Sequence, residues 1–213
     1  MEKDSSNRFF ITGIGTDVGK TVVAAIVSEA LNAHYWKPIQ SGDLDNSDSI
    51  KIQNWTANVT ILQEQYRLTK PLSPHTSARL DGVTITKEIP LPEVNGTLIV
   101  EGAGGILVPV NDSGNTIADV ITHWDIPVIL VVKHYLGSIN HTLLTLEYLK
   151  TKGIRLAGII VTGNAHEESE QIIQTITGNG INLHIPLATQ VDAAFIREQA
   201  AIHKEKIEQW LLG

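Results

Sequence analysis

The stretches "RFFITG", "GTLIVEG", "PVILVVK" and "LAGIIVTG" are apolar and rich in β-branched residues almost from end to end, and nothing else in the chain narrows its fold as far. A strand with one wet face alternates apolar with polar residues. An unbroken run is covered on both faces, as in a parallel sheet with helices packed on either side. "HYWKPI" and "LHIPLA" predict two further strands. Between and after them lie segments with helical spacing: Val18 to Leu31, "SINHTLLTLEYLKTK", "EESEQIIQTIT" and "AAFIREQAAIHKEKIEQWLL". The alternation predicts an α/β fold, a doubly wound, mostly parallel sheet flanked by helices. With 213 residues, 42% of them hydrophobic, the chain can bury a sizeable core as a single domain over residues 1–213. Lys70 to Pro92, with four prolines, reads as surface loop.

Ligands of such sheets bind beyond the carboxyl ends of the strands, so polar residues that follow strands are the candidates for chemistry. The first strand runs into "GIGTDVGKT", Gly13 to Thr21. This loop is one residue longer than the G-x-x-x-x-G-K-[ST] phosphate loop, and the dinucleotide pattern G-x-G-x-x-G fails because Val18 stands where its third glycine belongs. The order of strand, glycine loop, Lys20, hydroxyl of Thr21 and helix nevertheless favours a triphosphate. Lysine in the first turn meets terminal phosphates, the hydroxyl ligates Mg2+, and the helix start attracts anions. The plain alternative is a strand-to-helix turn with a chance Gly-Lys-Thr.

Other strand ends carry further candidates. "WKPIQSG" sets Lys37, Gln40 and Ser41 at the end of the second strand, and "TLIVEGAGG" ends its strand on Glu101, followed by glycines that allow close backbone approach. A carboxylate there suits a hard cation such as Mg2+. Asp48, in "NSDSIK", reads equally as a helix cap or as a metal ligand. "SPHTSA", with His75, predicts a turn into a short helix.

Charge and composition exclude other chemistries. A net charge of −7 with scattered Lys and Arg is no surface for nucleic acid or an anionic membrane. The polar start "MEKDSSN" lacks a signal-peptide core, and no apolar run approaches the roughly 20 residues of a membrane span, so a cytoplasmic protein is expected. With no cysteine there is no disulfide, thiolate nucleophile or Cys-ligated zinc, and the eight histidines show no metal spacing.

The ordered set "GTDVGKT", "KPIQSG", "NSD", "PLSPHTSA", "VEGAGG", "PVILVV", "LGSINHTLLT" and "LAGIIV" resembles the dethiobiotin synthetases, ATP-dependent ring-closing enzymes of biotin biosynthesis, over nearly the whole chain. Their phosphate loop is the longer one seen here. The resemblance implies a P-loop NTPase fold and a ligase that takes 7,8-diaminononanoate, carbon dioxide and ATP to dethiobiotin, ADP and phosphate. It implies that Gly13, Thr16, Asp17, Val18, Gly19, Lys20, Thr21 and Val22 bind the nucleotide's phosphates, and that Glu101, Gly102, Ala103 and Gly104 line it. Lys20 and Lys37 would be catalytic. Thr21, Asp48 and Glu101 would hold Mg2+, turning Asp48 from cap to ligand. Thr16 and Ser41 would touch the substrate. Gly137, Ser138, Ile139 and Asn140, at a helix start, would take the substrate of the other subunit of a homodimer. Where the family commonly has asparagine for the adenine edge, this chain has Thr162, followed by Gly163 and Asn164. Asn164 and the backbone of Pro186, Leu187 and Ala188 are the alternative readers of the base. A partition-type switch ATPase and a small-molecule kinase are the competing classes; switch ATPases usually carry a lysine early in the loop, where Ile14 and Gly15 stand.

Overall fold

Each long apolar run becomes a strand covered on both faces. The structure is a computed structural model that describes residues 7–213, and the expectation built on the polar start of the chain falls largely outside them. In chain order come β1 (Arg8–Gly13), α1 (Lys20–Leu31), β2 (His34–Trp36), β3 (Ile39–Ser41), α2 (Asp48–Trp55), β4 (Thr60–Leu62), β5 (Tyr66–Leu68), α3 (Pro74–Leu80) and β6 (Leu98–Gly105). There follow α4 (Ile117–Trp124), β7 (Val128–Lys133), α5 (Ser138–Thr151), β8 (Leu156–Thr162), α6 (Glu167–Thr177), β9 (Leu183–Ile185) and α7 (Ala193–Leu211). Seven strands form one sheet in the order β4-β2-β6-β1-β7-β8-β9, every pair parallel. β3 and β5 form a separate parallel pair.

Successive residues of a strand face opposite sides, and both sides are filled here. In β7, Val128, Leu130 and Val132 pack with Leu146 and Leu149 of α5 and Ile173 of α6. Ile129 and Val131 face the other way, toward Val23, Ile26 and Val27 of α1 and Ile196 and Ile207 of α7. α1 lies between the sheet and α7 and is buried nearly all round, so its sequence lacks a polar stripe. Among the described residues no helix is long and apolar enough to cross a membrane.

Three local expectations need correction. The first helix starts at Lys20, not Val18, because Gly19 sits at φ 92 in the left-handed region and cannot continue a helix. The second strand stops at Trp36. Pro38 has no N–H for the ladder and holds Lys37 extended, so the chain leaves the main sheet and re-forms as β3 beyond its carboxyl edge. The proline-rich segment 70–92 is more than loop: it contains α3, and its Ile85 and Ile89 are buried in the core.

Candidate functional site

Strand register assembles the site. Trp36 pairs with Val100 and Ile11 with Glu101, which brings the ends of β2, β6 and β1 side by side. Tyr35 and Lys37 share parity on one chain segment, Ile99 and Glu101 on the other, and all four belong to the α1 face.

The loop after β1 is shaped by steric necessity. A Cβ on Gly13 would stand 2.4 Å from Val18 Cγ2, and Asp17 adopts φ 58. Gly19 caps α1 with no side-chain hydrogen bond, so the first N–H groups of the helix point at the loop without a side-chain acceptor, as an anion site requires. Thr162 lies behind the loop, 7% exposed, and its hydroxyl donates to Val18 O at 2.8 Å. Lys20 Nζ folds back to donate to Gly15 O at 2.9 Å. Burial lowers its pKa and neighbouring Lys37 adds to this, while Glu101 acts in the opposite direction.

Lys37 is the centre of the charged cluster. Its Nζ donates to Asp48 Oδ2 at 2.6 Å, Glu101 Oε1 at 3.0 Å and Gly102 O at 3.3 Å, and the side chain is almost fully buried. Burial alone would lower its pKa; Glu101 and Asp48 outweigh that and raise it, so the group stays an ammonium. Asp48 shows the converse: burial raises and Lys37 lowers it further, to a net value below the ordinary one. Asp48 is not the cap of α2. Ser47 caps, accepting from Ile50 N at 3.3 Å, and Asp48 in the first turn is left to reach the cleft.

Glu101 also accepts from Thr21 Oγ1 at 2.9 Å on Oε1 and from the fully buried Tyr35 hydroxyl at 2.8 Å on Oε2. Burial, then the Glu101 charge, push the Tyr35 pKa well above that of a free phenol, which keeps it a neutral donor. Tyr35 was not foreseen from the sequence; its two-residue spacing from Lys37 was the available signal.

These groups open into a cleft of about 1030 Å3. Of the candidates, Thr16, Asp17, Gly19, Lys20, Thr21, Val22, Lys37, Ser41, Asp48, Glu101, Ala103 and Gly104 line it, joined by Gln40, Lys51 and the wall Pro71–Pro74. Ser41 Oγ is buried and hydrogen-bonds to no described residue. Gly13, Val18 and Gly102 stand behind the lining; a Cβ on Gly102 would meet the Phe10 ring at 2.6 Å.

The remaining candidates lie outside this cleft. Gly163 donates to Ile185 O at 2.8 Å and Leu187 packs close to it, so Gly163, Asn164 and Pro186 to Ala188 gather at the ends of β8 and β9. Gly137 caps α5 at φ 102, and Ser138 is buried in its first turn without capping it. Gly137 to Asn140 thus sit at the end of β7, beside a fully exposed Leu136.

Among the described residues no three His, Cys, Asp or Glu side chains gather as metal ligands. The donors that do converge, Asp48 Oδ2, Glu101 Oε1 and the Thr21 hydroxyl, are hard oxygens grouped around one cation, the Lys37 ammonium, or bonded to one another. Such a set of hard oxygens would suit Mg2+.

A family model described as an AAA domain matches residues 7–194. A protein of Christiangramia forsetii named ATP-dependent dethiobiotin synthetase BioD is 46% identical over 202 residues, covering 93% of this chain and 97% of its own. Its namesake in Cytophaga hutchinsonii is 50% identical, covering 84% and 87%. Among solved structures, the septum site-determining protein MinD of Pyrococcus horikoshii, complexed with Mg-ADP, superposes with a TM-score of 0.57 at 14% identity, covering 94% of this chain and 93% of its own. A putative plasmid partition protein of Borrelia burgdorferi bound to AMPPNP gives 0.58 at 11% identity, covering 97% and 98%. At these identities the likeness shows the fold alone.

Proposed function

This chain belongs to the ATP-dependent dethiobiotin synthetases, and on that premise we propose how its cleft closes the urea ring of dethiobiotin. The observation that carries the reading is Lys37, an ammonium held between Asp48 and Glu101 in the cleft that the loop after β1 also lines, together with the unpartnered hydroxyl of Ser41.

One amine of 7,8-diaminononanoate adds to carbon dioxide and loses a proton, giving a carbamate. A carbamate oxygen then attacks the γ-phosphorus of ATP and ADP leaves. The second amine attacks the carbonyl carbon of the mixed anhydride, phosphate departs, and the cyclic urea is closed. Carbamate and triphosphate repel each other, so the chain's task is to preorganise positive charge where negative charge accumulates. Lys20 meets the phosphates, and the uncapped start of α1 gives them N–H donors. Lys37 faces the carbamate side, and Ser41 Oγ offers it a donor. Holding diamine, carbon dioxide and ATP together removes up to about 10 kcal/mol of entropic barrier, and no protein nucleophile is needed.

Thr21, Asp48 and Glu101 would hold Mg2+, which when bound neutralises phosphate charge. Asn164 and the segment Pro186 to Ala188 are our readers for the base. Thr162, engaged with Val18 O, steadies the loop from behind. Gly137 to Asn140 lie away from the cleft, and beside them Tyr135, Leu136 and Leu144 expose apolar surface; this supports a homodimer in which they serve the partner's substrate. The same reading makes the enzyme cytoplasmic.

The test is phosphate release with Mg-ATP, bicarbonate and 7,8-diaminononanoate, each omitted in turn. Release is expected to need all of them and to stop with chelator. Release that ignores the diamine would overturn the ligase reading in favour of a switch ATPase, and a stable phosphorylated product would favour a kinase.

A further inference from the structure

Glu101 is the most constrained acid in the cleft, 1% exposed and hydrogen-bonded on both oxygens. A carboxylate turns readily about its last bond unless both oxygens are held. Oε1 is shared by Lys37 and Thr21, both of which also face the ligand space. Oε2 is held from the other side by the Tyr35 hydroxyl, at 2.8 Å. Tyr35 is itself rigid. Its backbone pairs with Ile99 of β6 and Ile61 of β4, and its side chain is wholly buried in the core under α1. The hydroxyl is therefore fixed to the sheet rather than to any mobile part of the cleft.

We infer that Tyr35 is a positioning residue for Glu101: its hydroxyl locks Oε2 inward, so that Oε1 is presented to the divalent cation that accompanies the nucleotide. The inference rests on the reading of Thr21, Asp48 and Glu101 as the Mg2+ set. Hydrogen bonds of this kind orient a metal-ligating carboxylate, and their loss typically weakens metal affinity about 10- to 100-fold. Tyr35 touches neither nucleotide nor substrate space, so its effect must pass through Glu101.

The experiment uses the full chain and no turnover. ADP binding is titrated calorimetrically across a series of Mg2+ concentrations for wild type, Tyr35→Phe and Glu101→Gln, with melting temperatures recorded in the same buffers. The phenylalanine ring refills the core, so Tyr35→Phe keeps its fold. Its half-saturating Mg2+ is expected to rise about 10- to 100-fold, with metal-free ADP affinity unchanged. In Glu101→Gln the Mg2+ response should be largely lost. If Tyr35→Phe lowers the melting temperature but leaves the Mg2+ midpoint within about twofold, or weakens ADP equally with and without Mg2+, Tyr35 is merely structural and the inference fails. If Glu101→Gln also keeps the wild-type Mg2+ response, the metal reading itself has failed.

Discussion

Lys37 is held by two carboxylates and a carbonyl, and this arrangement predicts how its loss divides between binding and turnover. A charge preorganised beside the carbamate is used mostly in the transition state, so Lys37→Gln should lower kcat about 100-fold or more while nucleotide affinity changes only a few-fold. Steady-state kinetics paired with calorimetry check this; an equal loss in nucleotide affinity would move Lys37 to ground-state binding. Lys20→Gln should lose both, because its charge meets the phosphates before and during transfer. These lysines were legible in the sequence because each ends or follows a strand beside a glycine or proline turn. Asp48 was legible only in part, since a carboxylate at the start of a helix caps as readily as it binds; the family resemblance turned it toward a ligand, and the tertiary structure shows Ser47 taking the cap. Tyr35 was hidden for another reason: in a buried strand an aromatic reads as core, and the acid it serves lies on a strand 66 residues away along the chain.

At the scale of elements, the end of β8 steadies the phosphate loop through a single hydroxyl. Thr162→Val keeps the shape and removes the bond to Val18 O, which should weaken ATP binding about 5- to 10-fold, the worth of a hydrogen bond near 1 kcal/mol, with kcat at saturation little changed. Unaltered ATP affinity would show that the loop holds itself. A second tie joins three elements: Glu170 of α6 accepts from His134 at 3.1 Å after β7, His184 at 3.0 Å in β9 and the backbone N of His166 at 3.0 Å. Burial would raise its pKa, but the His166 N–H and both imidazoles outweigh that and hold it below the ordinary 4.5. The stability it contributes is thus complete above pH 4.5 and fades as pH falls through the depressed folded value. Thermal melts of Glu170→Gln should therefore show a shallower loss of melting temperature below pH 4.5 than wild type, and parallel curves would refute the tie. The long strands were readable because each is a continuous apolar run. β4 and β5, three residues each, are too short to carry a period, and β3 and β5 pair only because Pro38 diverts the chain. α4 was missed although it carries a clear apolar face, with Ile117, Ala118, Val120 and Ile121 buried, because its eight residues make only about two turns, too short a window to separate from loop by pattern.

The whole molecule shares its fold with proteins of plasmid partition and septum-site determination, so the fold alone cannot decide the chemistry; in the proposed reading the cleft does, and a dimer completes it. Gly137 to Asn140 lie at the end of β7, outside the cleft that holds Lys37, and the start of the fourteen-residue α5 favours a carboxylate. 7,8-Diaminononanoate carries a carboxylate at its far end. If the partner supplies α5, Asn140→Ala should raise the substrate KM with ATP affinity intact, since it touches only a remote group. Mixing Asn140→Ala with Lys37→Gln chains gives the sharper measurement. In a mixed dimer with shared sites both defects fall in one site, and the other takes its Lys37 and its Asn140 from the two unaltered positions. Random exchange makes half the dimers mixed, so about a quarter of wild-type activity should return at substrate well below KM. Sites built within one chain would leave every site carrying one defect, and the mixture would then show no more than the average of the separate mutants once exchange is verified by mass. An active monomer would reject the arrangement outright.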